Sequence, residues 1–149
     1  IFTDLTPLAE KSGITLELAG DGVMTGSDAL IYRMIFNLTE NAIKYNRPDG
    51  SVQVCITQEP EKLLILVSDT GRGIPEEYQQ SIFQPFFRVD KSRSRTFGGA
   101  GLGLALVWEI AALHGGSVRV AESSDSGTTI AAELPRSGNH AAAPKNETL

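Results

Sequence analysis

Two pairs of strand patterns, each joined by a short turn, a further alternating stretch near the N-terminus and three main helical stretches predict an α+β domain. About five strands are expected. At 149 residues the chain has the size of one domain and can bury a core. Apolar residues at 41% and charged residues at 21% exclude both a disordered chain and a coiled coil. Thirteen basic against eighteen acidic side chains give a net charge of −5, which opposes nucleic-acid binding except where positive charge is clustered. No apolar run approaches the ~20 residues of a membrane-spanning helix. The opening Ile1-Phe2-Thr3-Asp4 lacks the layout of a signal peptide, so no membrane contact is expected of this segment. The single Cys55 lies in an alternating pattern, fits a reducing, cytoplasmic setting and is expected to be a small core residue.

Residues 2–12 place Leu5, Leu8 and Ala9 on one side of a short helix that Gly13 stops. Residues 14–18 alternate as a half-buried strand, and a further short strand is expected near Val23 and Met24. Ser27 or Asp28 can cap the next helix, which meets no Gly or Pro before Pro48 and should run to about Tyr45. Its core stripe is Leu30, Ile31, Met34, Ile35, Leu38 and Ala42. Asn37, Asn41, Lys44 and Tyr45 form a second stripe, in which an amide oxygen and an ammonium can converge on a phosphate and its metal ion. Asn is a poor helix former, so two of them one turn apart ask for a reason beyond solubility.

Residues 51–58 alternate, and residues 60–62 turn into the unbroken apolar run of residues 63–67, which reads as a strand buried on both faces. That strand opens into Asp69-Thr70-Gly71-Arg72-Gly73-Ile74-Pro75. There a carboxylate can accept from an exocyclic amine while side-chain-free backbone leaves room for a flat ring. By itself the heptapeptide is equally an ordinary strand-to-helix turn. A short helix over residues 76–82 follows, then Phe83, Phe86 and Phe87.

Residues 84–99 read as a long irregular segment in which Arg88, Lys91, Arg93 and Arg95 face one acid, Asp90, a composition suited to a lid over an anionic ligand. It ends in Gly98-Gly99-Ala100-Gly101-Leu102-Gly103-Leu104, which opens a helix over residues 102–113 that is apolar almost all round and so expected to be buried. Glycines there free the first backbone N–H groups for an anion. The spacing is neither the dinucleotide fingerprint nor a Walker loop. Trp108 reads as core or boundary, and His114 as a residue at the helix C-terminus, where a cation is favourable. Residues 117–121 and 128–134 alternate as two strands, and from Arg136 the tail has no pattern and is expected to be disordered. The domain thus spans residues 1–135 and the tail residues 136–149.

In this order the motifs resemble the catalytic, ATP-binding domain of bacterial sensor histidine kinases, with the Bergerat fold shared with DNA gyrase. Asn37-Leu38-Thr39-Glu40-Asn41-Ala42-Ile43-Lys44-Tyr45 resembles the N box, residues 69–73 the G1 box, residues 82–88 the F box, residues 99–104 the G2 box, and Gly127-Thr128 the last short motif. The resemblance implies a two-layer α/β sandwich, a mixed, mostly antiparallel sheet of about five strands with the three main helices on one face. It implies Asn41 as the Mg²⁺ ligand, Asn37 beside it near the phosphates, and Lys44 and Arg88 as phosphate contacts. Tyr45 would pack near the nucleotide and Asp69 would bind adenine. Gly71, Gly73, Ile74, Gly99, Leu102, Leu104 and Thr128 complete the implied nucleotide contacts, and Gly101 and Gly103 belong to the lid hinge.

The implied activity is transfer of the γ-phosphate of ATP to a histidine on a separate helical dimerisation domain, and through it to a response regulator. That acceptor histidine is not expected among these residues, since neither His114 nor His140 is suitably placed. The implied setting is the cytoplasmic part of a membrane-anchored sensor. Two other functions fit parts of the pattern. A hydrolase or serine kinase of the same superfamily carries Glu where Asn37 stands, leaving Glu40 as the only nearby carboxylate; a nucleotide-binding scaffold without chemistry is the other.

Overall fold

The computed structural model describes residues 2–22, 24, 26–87 and 103–136. Helix α1, Phe2–Ser12, is stopped by Gly13 at φ 71°, and the edge strand β1, Thr15–Gly20, follows it. Helix α2 runs from Asp28 to Lys44 and begins at Ser27, whose Oγ accepts from the Leu30 N–H at 3.2 Å. Strands β2, Ser51–Gln58, and β3, Lys62–Asp69, form the expected hairpin. Helix α3, Gly103–Leu113, leads into β4, Ser117–Ser124, and β5, Gly127–Pro135. The sheet order is β1-β2-β3-β5-β4, with β1 and β2 parallel and every other pair antiparallel. β3 is therefore the central strand.

The three helices cover one face of this sheet. Leu5 and Ala9 of α1, Met34, Leu38, Ala42 and Ile43 of α2, and Val107, Ile110 and Ala111 of α3 pack on Val52, Val54, Leu63, Ile65, Val67, Val118, Ile130, Ala132 and Leu134. This is the α+β, two-layer arrangement expected.

Among the described residues the second face of the sheet has no such cover, and three expectations change with it. β3 alternates between buried and half-buried residues, because Leu64 and Leu66 point to the uncovered face. Cys55 lies on that face of β2, half exposed rather than in the core. α3 buries only Val107, Ile110 and Ala111 and exposes Leu106, Trp108 and Leu113, since a two-layer domain gives a helix one layer to bury against. On the open face Glu133 joins Lys62 at 3.1 Å and Arg119 at 2.7 Å, which together hold its carboxyl below the usual range.

Residues 76–82 also differ from expectation, forming two 3₁₀ turns, Glu76–Tyr78 and Ser81–Phe83, in place of a helix. A stretch this short gains too few i→i−4 bonds to offset helix nucleation. Phe83 is buried and tilted against Trp108 with ring centroids 5.5 Å apart, placing the indole at a boundary. No strand forms at Met24, and Val23 lies outside the described residues. So do residues 137–149, on which the expected tail falls.

The loop between α2 and β2 is held by Asn46, which is buried. Its Nδ2 donates to the Ser51 carbonyl at 2.9 Å, and its Oδ1 accepts from the Arg47 N–H at 2.8 Å and the Thr70 hydroxyl at 2.9 Å. Thr70 Oγ1 in turn accepts from the Ser51 N–H at 2.9 Å. Asn46→Ala orphans several of these groups at once and is expected to cost about 1–3 kcal/mol of stability. Urea denaturation checks this, and a midpoint within error of wild type would show that water replaces the amide without loss.

Candidate nucleotide site

Asp69 continues the helix-facing series Leu63, Ile65 and Val67, so the central strand delivers a carboxylate to the end of the core. Its Oδ1 accepts from the Gly71 N–H at 2.9 Å and the Thr128 N–H at 3.2 Å. No described residue donates to Oδ2. Burial holds the Asp69 carboxyl above the ordinary carboxylate range, although the N–H groups of Gly71 and Thr128 pull it down.

Close backbone approach builds the walls around this group. A Cβ on Gly71 would lie 2.7 Å from the Tyr45 carbonyl oxygen, so only glycine lets the loop lie against the end of α2. Gly127, at φ +137°, would place a Cβ 1.9 Å from the Asp69 carbonyl oxygen, and its absence lets the Thr128 N–H reach the carboxylate. Thr128 Oγ1 and Ser123 Oγ are 2.9 Å apart, and Ser123 Oγ accepts from the Ile74 N–H at 2.7 Å. The loop carrying Gly71, Gly73 and Ile74 is thus clamped between the C-terminal end of α2 and the β4–β5 hairpin. Ser123 and Asn46 carry no sequence signal for these roles, since Ile74 lies 49 residues from Ser123 and Thr70 24 from Asn46, and the local turn signals are generic.

On α2, Asn37 is buried and its Nδ2 donates to the Gly103 carbonyl at 3.3 Å, joining this helix to the start of α3. Asn41 lies one turn on, half exposed, and no described residue engages its side-chain amide. Lys44 Nζ stands 3.9 Å from the Glu40 carboxylate, and Tyr45 caps the helix through its N–H on the Asn41 carbonyl. Asn37, Asn41, Lys44, Tyr45, Asp69, Gly71, Gly73, Ile74, Gly103, Leu104 and Thr128 all fall among the described residues. Arg88, Gly99, Gly101 and Leu102, with the rest of the basic segment from residue 88, fall outside them.

His114 is a structural residue. It is 1% exposed, with Nδ1 2.9 Å from the Ile110 carbonyl oxygen and Nε2 accepting from the Ser27 N–H at 3.1 Å. A backbone N–H can only donate, so Nε2 is an acceptor and Nδ1 carries the hydrogen toward Ile110; these bonds hold His114 at the helix C-terminus, as expected.

The fold agrees with the matches to known proteins. The family model of the histidine kinase-, DNA gyrase B-, and HSP90-like ATPases matches residues 26–138, and the chain belongs to that family. Sensor histidine kinase RppB of Synechocystis sp. is 38% identical over 117 residues, covering 78% of this chain and 26% of RppB. The mycobacterial sensor histidine kinase MprB superposes with a TM-score of 0.75 at 29% identity, covering 89% of each chain. Full-length ShkA, solved in complex with AMPPNP, gives 0.77 at 26% identity, covering 89% of this chain and 28% of that one. The chain spans about a quarter of the length of RppB.

The raised carboxyl gives a pH test without nucleotide. A carboxyl whose folded pKa lies above its unfolded value adds stability at low pH, and that stability is lost as pH rises through the folded value. Relative to wild type, Asp69→Asn should therefore gain melting temperature as pH climbs from about 4, the unfolded carboxylate's value, toward neutrality. A constant difference across that window would mean that burial does not penalise the ionised carboxylate.

Proposed function

We propose that this domain binds ATP with Mg²⁺ and donates the γ-phosphate to a histidine on a separate helical dimerisation domain, as the first step of two-component signalling to a response regulator. The observation that carries the reading is Asp69 Oδ2. A half-buried carboxylate oxygen without a described protein donor, beside the glycine-bearing loop of residues 71–73, suits the exocyclic amine of adenine. AMPPNP in the ShkA complex supports a nucleotide in this fold.

Asp69 accepts from the adenine amine while Gly71, Gly73, Ile74 and Thr128 line the ring, and Tyr45 packs beside it. Asn41 and Asn37 face the phosphates, and Lys44, poised against Glu40, supplies positive charge. Gly103 and Leu104 open α3 toward the phosphates. Arg88, Gly99, Gly101 and Leu102 are assigned to phosphate contact and the lid. The donor set fits Mg²⁺. The described residues contain no cluster of three His, Cys, Asp or Glu side chains, and Asn41 offers one neutral oxygen, as expected where phosphates and water complete the shell. When bound, the ion neutralises phosphate charge during transfer. The chain's own contribution is positioning, which accounts for much of phosphoryl-transfer catalysis.

No observation favours the hydrolase or serine-kinase reading. Asn37 cannot act as a base and its amide is engaged by Gly103, while Glu40 is paired with Lys44. A scaffold without chemistry would not need the open Asn41 amide. Among the described residues no helix is long and apolar enough to cross a membrane, and the domain is assigned to the cytoplasmic side, where ATP is present.

Calorimetry should show ATP and ADP binding, weakened about tenfold to a hundredfold by Asp69→Asn through loss of a charge-assisted hydrogen bond. Unchanged affinity would mean that Asp69 serves the turn alone. With radiolabelled ATP the chain alone should take up no stable label, because His114 is buried with both nitrogens engaged. A separately supplied dimerisation domain from the parent protein should become labelled, and Asn41→Ala should abolish the transfer. Label on the chain alone, or undiminished transfer by the variant, would contradict the proposal.

A further inference from the structure

The two helices beside the site are joined by polar links at both ends. At one end the Asn37 amide donates to the Gly103 carbonyl, and at the other His114 Nε2 accepts from the Ser27 N–H. Ten residues of α2 separate Ser27 from Asn37 and eleven of α3 separate Gly103 from His114, about 15 and 16 Å at helical rise. The spans match, so both links form at once in an antiparallel pair. We propose that His114 is a positioning residue: it latches the C-terminal end of α3 to the start of α2 and so sets where the first turn of α3 meets Asn37.

Each side of the latch is itself fixed. The ring is oriented on its own helix by the Ile110 carbonyl. Gly116 follows, and a Cβ there would lie 2.0 Å from the Glu133 carbonyl oxygen, so this end of α3 is pressed onto the sheet. Opposite, every polar group of Ser27 is engaged. Its N–H donates to the imidazole, its Oγ accepts from Leu30 and its carbonyl accepts from Ile31 at 2.9 Å. Gly26 makes room for the contact, since a Cβ there would lie 2.7 Å from His114 Cδ2 and 2.9 Å from Nε2.

Between the links the packing is apolar, through Met34 and Leu38 on α2 and Val107, Ile110 and Ala111 on α3. Apolar contact is non-directional and tolerates an axial slip that a hydrogen bond does not. With the far end released, the Gly103 carbonyl can leave Asn37, and the helix start assigned above to the phosphates moves with it. The effect on ligand rests on the nucleotide-binding reading; the latch itself does not.

The experiment compares His114→Phe, His114→Asn, His114→Gln and Gly26→Ala with wild type at a temperature where circular dichroism shows each folded. Phe keeps bulk and loses both hydrogen bonds. Asn can still donate to Ile110 and stops short of Ser27, whereas Gln can present an oxygen where Nε2 stood. AMPPNP affinity should fall about tenfold in the Phe, Asn and Gly26 variants, within the usual range for coupling between separated sites, and recover with Gln. In a double-mutant cycle, Asn37→Ala should cost much less in the His114→Phe background than in wild type, although residues ~15 Å apart are ordinarily additive. A purely stabilising histidine would leave that cycle additive, and additivity overturns the proposal, as does Asn rescuing better than Gln.

Hydrogen exchange without nucleotide decides the latch independently. The amides of Val107 and Trp108 close the first turn of α3 and should exchange faster in His114→Phe and Gly26→Ala but not in His114→Gln. Unchanged protection there refutes the latch. A wild-type chain that binds no nucleotide refutes the proposed function and leaves this exchange result to decide the latch.

Discussion

A half-buried carboxylate at the end of the central strand is the constraint on which the rest of the site depends. Burial of Asp69 opposes its ionisation, and the protein meets that cost with two backbone donors on one oxygen while leaving the other without a described donor. Both donors require glycine nearby: Gly71 against the end of α2 and Gly127 against the strand carrying the carboxylate. The Ser123–Thr128 pair then holds the far side of the loop through Ile74, and Asn46 holds the near side through Thr70. These links tie the loop to both neighbouring elements around the carboxylate.

A two-layer build sets the second level of organisation. With helices on one face only, α2 and α3 have a single sheet to rest on and must fix their mutual position themselves. Their apolar contact provides adhesion, and the hydrogen bonds of Asn37 and His114 at its ends provide direction. The same build exposes Leu106, Trp108 and Leu113 and turns Leu64 and Leu66 toward the open face.

Features carried by local pattern were legible in the sequence. The Ser27 cap, the long α2 stripe, the two strand pairs and Asp69 at a strand end follow from spacing and turn chemistry alone. What was not legible depends on partners far along the chain. Ile74 and Ser123 are 49 residues apart, Asp69 and Thr128 59, and Ser27 and His114 87. No local signal reveals that the imidazole at the end of α3 accepts from the Ser27 N–H. The run of residues 63–67 and the apolar α3 were over-read as fully buried, because hydrophobicity reports what a segment can bury and the number of layers decides what it does bury.

The central claim is that Asp69 Oδ2 is an acceptor reserved for the adenine amine. It is tested most directly by calorimetric titration of wild-type protein with ATP and with the purine nucleotide identical except for the missing 6-amino group. The account predicts about tenfold or greater weakening for the analogue, the cost of a charge-assisted hydrogen bond left unmade in a half-buried site. Equal affinity for the two nucleotides would contradict it.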